Sequence, residues 1–154
     1  MSMSSKKKKT WKEKLENNKD LPKIETLSGK LKERWGGSTM VIATALEVKA
    51  IMQKVPKGKL ITINKIREKL AANHGTDIAC PITTGIFAWI AANAAAEMGN
   101  PLAYWRTLRG NGELNEKYPG GISEQAERLE SEGHHVLQKG KKWMVTDWEK
   151  SLVK

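Results

Sequence analysis

Residues 62–99 read TINKIREKLAANHGTDIACPITTGIFAWIAANAAAEMG, and the punctuation of this stretch decides the fold. Thr62 is placed to cap a helix in which Ile63, Ile66 and Leu70 recur at helical spacing and face inward. Asn73-His74-Gly75 ends that helix. Cys80-Pro81 marks the approach to a second helix starting near Thr83 or Thr84, because the residue before proline is held extended and proline is tolerated just before a helix. Two helices across a glycine-containing connection predict a helix-turn-helix, here with a link over about residues 72–82 that is longer than the usual tight turn. The second helix is Ala-rich and weakly charged, so it can approach a partner surface closely. Thr83, Thr84 and Gly85 at its start offer free N–H groups and positive partial charge to a phosphate. Ile86, Phe87 and Ile90 are expected in the core.

Downstream, residues 100–121 read NPLAYWRTLRGNGELNEKYPGG. The stretch is too irregular for a helix, and its glycines allow turns with positive φ, so a shaped loop carrying an Arg and two aromatics is expected. Ser123 is placed to cap a helix over about 124–131, with Ala126 and Leu129 inward and Gly133 as its stop. Residues 135–138 and 143–146 alternate as two strands around Lys139-Gly140-Lys141-Lys142, a basic hairpin tip. Asp147 can cap a last short helix. A helix-turn-helix followed by a basic hairpin has the layout of a winged helix, and the alternative is a plain two-stranded ribbon with a solvated tip. The fold class expected is mainly α with a small β-hairpin, a winged-helix-like helix-turn-helix domain.

Upstream, residues 1–10 hold four consecutive lysines and nothing apolar to bury, and read as a disordered basic arm. One or two helical turns after Trp11 would place Trp11 and Leu15 on one side. Ile24, Leu27, Leu31 and Trp35 recur at helical spacing and predict a short helix over about 28–35. Met40-Val41-Ile42 is a β-type run. Thr44-Ala45-Leu46-Glu47 is a capping-box pattern opening a helix over about 45–54, with Leu46, Ala50 and Ile51 as its buried stripe. Residues 1–36 are therefore expected as a partly disordered arm with a short helix, and residues 37–154 as the folded domain.

The chain has 27 basic and 17 acidic side chains, a net charge of +10. Residues 1–36 hold 11 of the basic and 5 of the acidic ones, so the arm carries over half of the excess. A balance of this size points to a polyanion, nucleic acid before membrane, since no apolar run approaches the length of a membrane span. No secretory signal pattern follows the first Met. The single cysteine, Cys80, allows neither an internal disulfide nor a multi-Cys zinc site, and fits a reducing compartment, cytoplasmic or nucleoid-associated. No metal and no cofactor are expected. Most of the six Trp fall in patterned segments, where core filling and edge covering are the expected roles.

Val55-Pro56-Lys57-Gly58-Lys59-Leu60-Ile61-Thr62, Ile66, the run from Pro81 to Asn93, Arg106, Gly112 to Gly121, and Leu129-Glu130-Ser131-Glu132-Gly133 follow one another along the chain. In order and approximate spacing, over about residues 40–133, this set resembles the DNA-binding and active-site domain of alkylguanine-DNA alkyltransferases and their alkyltransferase-like relatives. The resemblance implies a domain that enters the minor groove with its recognition helix and rotates an alkylated guanine out of the stack, because the reactive atom is inaccessible inside the duplex. In the enzymes a Pro-Cys-His-Arg motif supplies the acceptor thiol. The matching run here is Ala103-Tyr104-Trp105-Arg106, so Tyr104 stands at the nucleophile, Trp105 at its histidine, and only Arg106 matches. With Glu132 these residues make a degenerate active-site loop. No arginine stands at 82–84, where the resemblance places one, and residues 94–100 read as an insertion.

Alkyl transfer needs a thiolate and a base to form it, and a phenol of pKa about 10 beside an indole supplies neither at neutral pH. No alkyltransferase activity is expected. The leading expectation is a non-enzymatic protein that binds double-stranded DNA, with alkylated guanine as a candidate lesion. Its phosphate contacts would come from Lys57, Lys59, Lys65, Arg106, Arg109, Lys139, Lys141 and Lys142, together with Asn64, Thr83, Thr84, Gly85 and Asn93 on the helix-turn-helix. Tyr104 and Trp105 either wall a base pocket or fill it. The alternatives are a protein-interaction adaptor in DNA repair or transcription, with repair-pathway proteins as partners, and, last, a thiol-dependent enzyme using Cys80, whose plainer reading is a small buried residue. A monomer is expected.

Overall fold

The computed structural model describes residues 10–17, 20–99 and 101–153. Up to residue 9 the expected basic arm lies outside the described residues. Helix α1 (Trp11–Glu16) is capped by Thr10, whose hydroxyl accepts from the Glu13 N–H at 3.1 Å. Its Leu15 is buried, as the spacing predicts. Strand β1 (Lys23–Thr26), helix α2 (Gly29–Trp35) and strand β2 (Thr39–Ile42) follow, and β1 pairs antiparallel with β2, Ile24 opposite Val41. The helix expected over 28–35 is present, but Ile24 belongs to a strand and Leu31 is exposed.

Helix α3 (Ala45–Gln53) opens with the expected capping box: the Thr44 hydroxyl accepts from the Glu47 N–H at 3.1 Å, and the Glu47 carboxylate accepts from the Thr44 N–H at 2.9 Å. Its buried face is Ala45, Val48, Ile51 and Met52 instead of Leu46, Ala50 and Ile51. Leu46 is 42% exposed. Both sets have helical spacing, and the one containing Val48 and Met52 brings more apolar surface out of water.

Strand β3 (Ile61–Thr62) runs into helix α4 (Ile63–His74). Thr62 caps α4 by accepting from the Lys65 N–H at 3.2 Å, Ile66 and Leu70 are buried, and Gly75 closes the helix at φ 66°. Strand β4 (Ile78–Ala79) pairs parallel with β2, inside the long link that the spacing left open. Helix α5 (Pro81–Met98) then begins two residues before the expected start, because the fixed φ of Pro81 suits the first helical position. It continues unbroken through most of the inserted stretch, ending at Gly99, which has φ 70°.

The loop expected at 100–121 contains more structure than its composition suggests. A 3-10 turn (Tyr104–Arg106) leads into strand β5 (Thr107–Leu108), which pairs parallel with β3. Helix α6 (Gly121–Ser131) starts three residues before the expected position, so Ser123 lies inside it and does not cap it. Strands β6 (Val136–Lys139) and β7 (Lys142–Val145) make the expected hairpin. A last 3-10 turn (Trp148–Ser151) follows Asp147, which makes no side-chain cap.

Two main cores result. The larger lies among α1, α3, α4 and α5, where Val48, Ile66, Leu70 and Ala91 are buried. The smaller, Leu60, Leu108, Leu114, Leu129 and Val145, lies under α6 and the hairpin. Of Trp35, Trp89, Trp105, Trp143 and Trp148 in the patterned segments, Trp143 is the outlier at 36% exposed. The described part of residues 1–36 is packed on the domain, by β1 on β2 and by α1 on α5, where Trp11 meets Trp89 edge-on at 5.8 Å. The architecture is mainly α with a small β-hairpin, as expected.

Candidate nucleic-acid interface

The 3-10 turn Tyr104–Arg106 is held from three sides. Arg106 donates from Nε to Glu132 Oε1 at 2.9 Å, from Nη2 to Glu132 Oε2 at 2.7 Å and from Nη1 to the Val55 carbonyl at 2.8 Å. The turn, the end of α6 and the segment before Pro56 are thereby joined at one guanidinium, whose side chain is 15% exposed against 5% for Glu132. Burial alone would raise the Glu132 pKa. The Arg106 hydrogen bonds and the Gly58 N–H outweigh it and hold that pKa below its ordinary value. Arg106, expected among the phosphate contacts, is therefore committed inside the protein, because leaving Glu132 buried and unpaired would cost several kcal/mol, on the order of 3–5.

Tyr104 is also internal, and its hydroxyl donates to the Pro119 carbonyl at 2.8 Å. Burial, followed by the nearby Glu124 charge, raises its pKa above 10, so the phenol stays neutral at physiological pH. Its ring meets Trp105 edge-on at 5.4 Å and Tyr118 at 5.5 Å. The Arg128 guanidinium lies 5.0 Å from the Trp105 ring centroid.

These two rings line an open cleft of about 600 Å³ and do not close it. Its other walls are the small side chains Ala92, Ala95 and Ala96 of α5 and the Pro119-Gly120 turn, with Glu124 and Arg128 alongside. Of these, Ala95 and Ala96 belong to the inserted stretch. Glu124 and Arg128 pair at 3.1 Å. Neither was legible as a site residue, since a charge pair four apart on a helix is ordinary surface patterning.

Gln125 was missed too, and it is fully buried. It accepts from the Asn115 N–H at 2.8 Å and donates to the Trp105 carbonyl at 3.2 Å and the Thr107 carbonyl at 3.3 Å, so one amide ties the segment at 105–107 to Asn115. The only signal available was a polar residue one helical turn before Leu129, on the inward face.

A second concavity, about 310 Å³, lies at the start of α5 and brings together Asn64, Gly85 and Arg109 from the expected set, with Lys117 added. Thr83 is half-buried in the same first turns of the helix. Thr84 does not join them. It is 2% exposed and its hydroxyl donates to the Cys80 carbonyl at 2.7 Å, because residue 84 falls on the core side of the helix. Asn93 is turned to the loop, donating to the carbonyls of Trp89 at 2.7 Å and Lys117 at 3.0 Å. Lys65 pairs with Glu68 at 3.6 Å. Lys57 and Lys59 are exposed in the turn next to Glu132, and Lys139, Lys141 and Lys142 are exposed at the hairpin tip. Neither lysine group lines the α5 concavity. Ile86, expected in the core, is exposed there, whereas Ile90 is buried as expected.

Cys80 is buried against Leu27 and Met40, away from the cleft. Among the described residues no cluster of His, Cys, Asp and Glu could hold a metal ion, and no helix is long and apolar enough to cross a membrane.

The helix-turn-helix, the clamped turn and the hairpin define an alkyltransferase-like fold. The chain is similar to Atl1 of S. pombe, solved in complex with damaged DNA containing O6-carboxymethylguanine, with a TM-score of 0.52 and 18% identity over 71% of this chain and 94% of that one. It is similar also to S. pombe ATL in complex with DNA, with a TM-score of 0.50 and 18% identity over the same shares. At that identity the likeness is one of fold. No protein-family model and no curated protein matches the sequence.

Proposed function

We propose that this chain is a non-enzymatic DNA-binding protein of the alkyltransferase-like kind. It would hold duplex DNA against the start of α5 and offer the cleft beside Tyr104 and Trp105 to an extruded base, alkylated guanine included. The observation that carries this reading is the open cleft of about 600 Å³, lined by Tyr104 and Trp105, in a fold shared with proteins solved on DNA. Extruding a base costs a few kcal/mol. Stacking on an aromatic wall returns ~1–3 kcal/mol per base.

A binding role without chemistry follows from the groups present. A neutral Tyr104 phenol is a poor nucleophile, the Trp105 indole is no base, and the single thiol is buried outside the cleft. Repair-pathway proteins as partners, a monomeric state and a cytoplasmic or nucleoid location belong to the same proposal.

The test compares duplexes with and without one O6-alkylguanine, with the mass of the protein measured after incubation. Tighter binding to the alkylated duplex with no mass gain is the expected outcome. Equal affinity removes the base-accepting role of the cleft, and a mass gain removes the non-enzymatic reading.

A further inference from the structure

Glu97 is an acid in the last turn of α5, where the helix dipole disfavours negative charge. Its carboxylate serves another element. Oε2 accepts from the Trp11 N–H at 3.2 Å and Oε1 from the Lys12 N–H at 3.1 Å, so it satisfies free donors at the opening of α1. Trp11 then meets Trp89 of α5 edge-on, and the Lys14 ammonium lies 4.2 Å from the Trp11 ring centroid. Leu15 is buried below them. The chain therefore enters the described structure at a fixed point, Thr10.

That point lies at the rim of the candidate interface. Ala96, next to Glu97, is exposed and lines the cleft of about 600 Å³, and Trp89 lines the concavity at the start of α5, beside the exposed Ile82. Both arginines of the cleft, Arg106 and Arg128, already hold carboxylates. A phosphate passing the cleft therefore needs positive charge from outside its walls. Lys6, Lys7, Lys8 and Lys9 immediately precede Thr10, and no acid comes before Glu13. A residue spans at most ~3.6 Å, so by any path the α-carbons of these lysines stay within roughly 15 Å of Thr10.

We propose that Glu97 seats the basic arm beside the cleft, so that Lys6, Lys7, Lys8 and Lys9 hold the phosphates flanking a base extruded into it. This rests on the DNA-binding reading above and gives the arm a partner and a place. Glu97 is a positioning residue: it acts by keeping the lysines close to the bound duplex, which raises their effective concentration there. It belongs to residues 94–100, the stretch read as an insertion, so one insertion supplies both the small side chains of the cleft wall and the seat of the arm.

The experiment titrates the whole chain into a duplex with one central O6-methylguanine, by fluorescence anisotropy over a salt series. It compares the wild type, the combined Lys6→Gln, Lys7→Gln, Lys8→Gln and Lys9→Gln variant, Glu97→Ala, and all five changes together. Neutralising the arm is expected to lower the slope of log K against log salt by about 0.9 for each lysine on a phosphate, ~2–4 in all. Glu97→Ala should weaken binding several-fold while the lysines are present, although it removes a negative charge, and should not weaken it once they are gone. A loss of fold would appear in both backgrounds and so does not mimic this result. An unchanged slope without the lysines, or tighter binding because the arm had occupied the cleft, overturns the arm's role and leaves DNA binding standing. Equal weakening by Glu97→Ala in both backgrounds overturns the seat, as does no weakening in either. Absence of wild-type binding at low salt overturns the DNA-binding reading and the arm's role with it.

Discussion

Arg106 and Glu132 are joined by two parallel hydrogen bonds, Nε to Oε1 at 2.9 Å and Nη2 to Oε2 at 2.7 Å, with the carboxylate 5% exposed. Removing either partner leaves the other charge without its pair. Glu132→Gln is expected to lower stability by about 3 kcal/mol, as breaking buried pairs generally does, and thermal unfolding reads it.

The same pair makes stability depend on pH. The folded Glu132 pKa lies below its ordinary value, so the unfolded chain binds this proton more readily than the folded one. Its contribution is complete above the ordinary glutamate pKa and is lost as pH falls through the lower folded value. The Tm of the wild type should therefore fall between about pH 5 and pH 3 more steeply than that of Glu132→Gln. Parallel acid limbs would remove Glu132 as the cause.

Tyr104 donates to the Pro119 carbonyl across the edge of the cleft. Tyr104→Phe keeps the ring and loses the hydrogen bond, for an expected cost of about 1 kcal/mol. With the aromatic wall retained, affinity for an alkylated duplex should change less than threefold, roughly. A loss beyond that would mean that the hydroxyl itself serves the ligand.

Gln125 serves three backbone groups from a fully buried position. Gln125→Leu fits the volume and orphans those groups, so a loss of at least about 2 kcal/mol is expected, with amide exchange speeding up at Asn115. A Leu variant as stable as the wild type would show that water replaces the amide.

The proposed phosphate contacts would separate by salt dependence. Arg109→Gln and Lys117→Gln should each reduce the slope of log K against log salt by about 0.9, the share of one neutralised phosphate. Arg106→Gln should change stability and leave the slope as it is, since its guanidinium is already paired. A reduced slope for Arg106→Gln at constant fold would place that side chain on DNA after all.

The resemblance read along the chain covers the fold that the structure shares with the DNA-bound S. pombe proteins, although 18% identity leaves few individual residues in common. What was legible locally was the punctuation. Thr44 with Glu47, Thr62, Gly75 and the Gly140 hairpin turn all act within four residues of their own position, so composition and spacing reveal them.

The cleft was legible only as a question about Tyr104 and Trp105. Its answer depends on Ala95 and Ala96 of the extended α5, which are too small to fill the space, and on Glu124 and Arg128 from another helix. Thr84 and Arg106 illustrate the same limit. Each is a polar side chain suited to DNA by type, and each is spent on a partner that only folding brings near, Cys80 by helix phase and Glu132 across 26 residues.

By itself the sequence determined the caps at Thr44 and Thr62, the two helices of the helix-turn-helix and the hairpin, because these depend on residue type and short spacing. Tertiary structure alone decided which charges are free for a polyanion, that the aromatic pair borders open space, and that Ile82 stands in solvent. Exposure and pairing are properties of the packed chain, set by which faces the other helices leave uncovered.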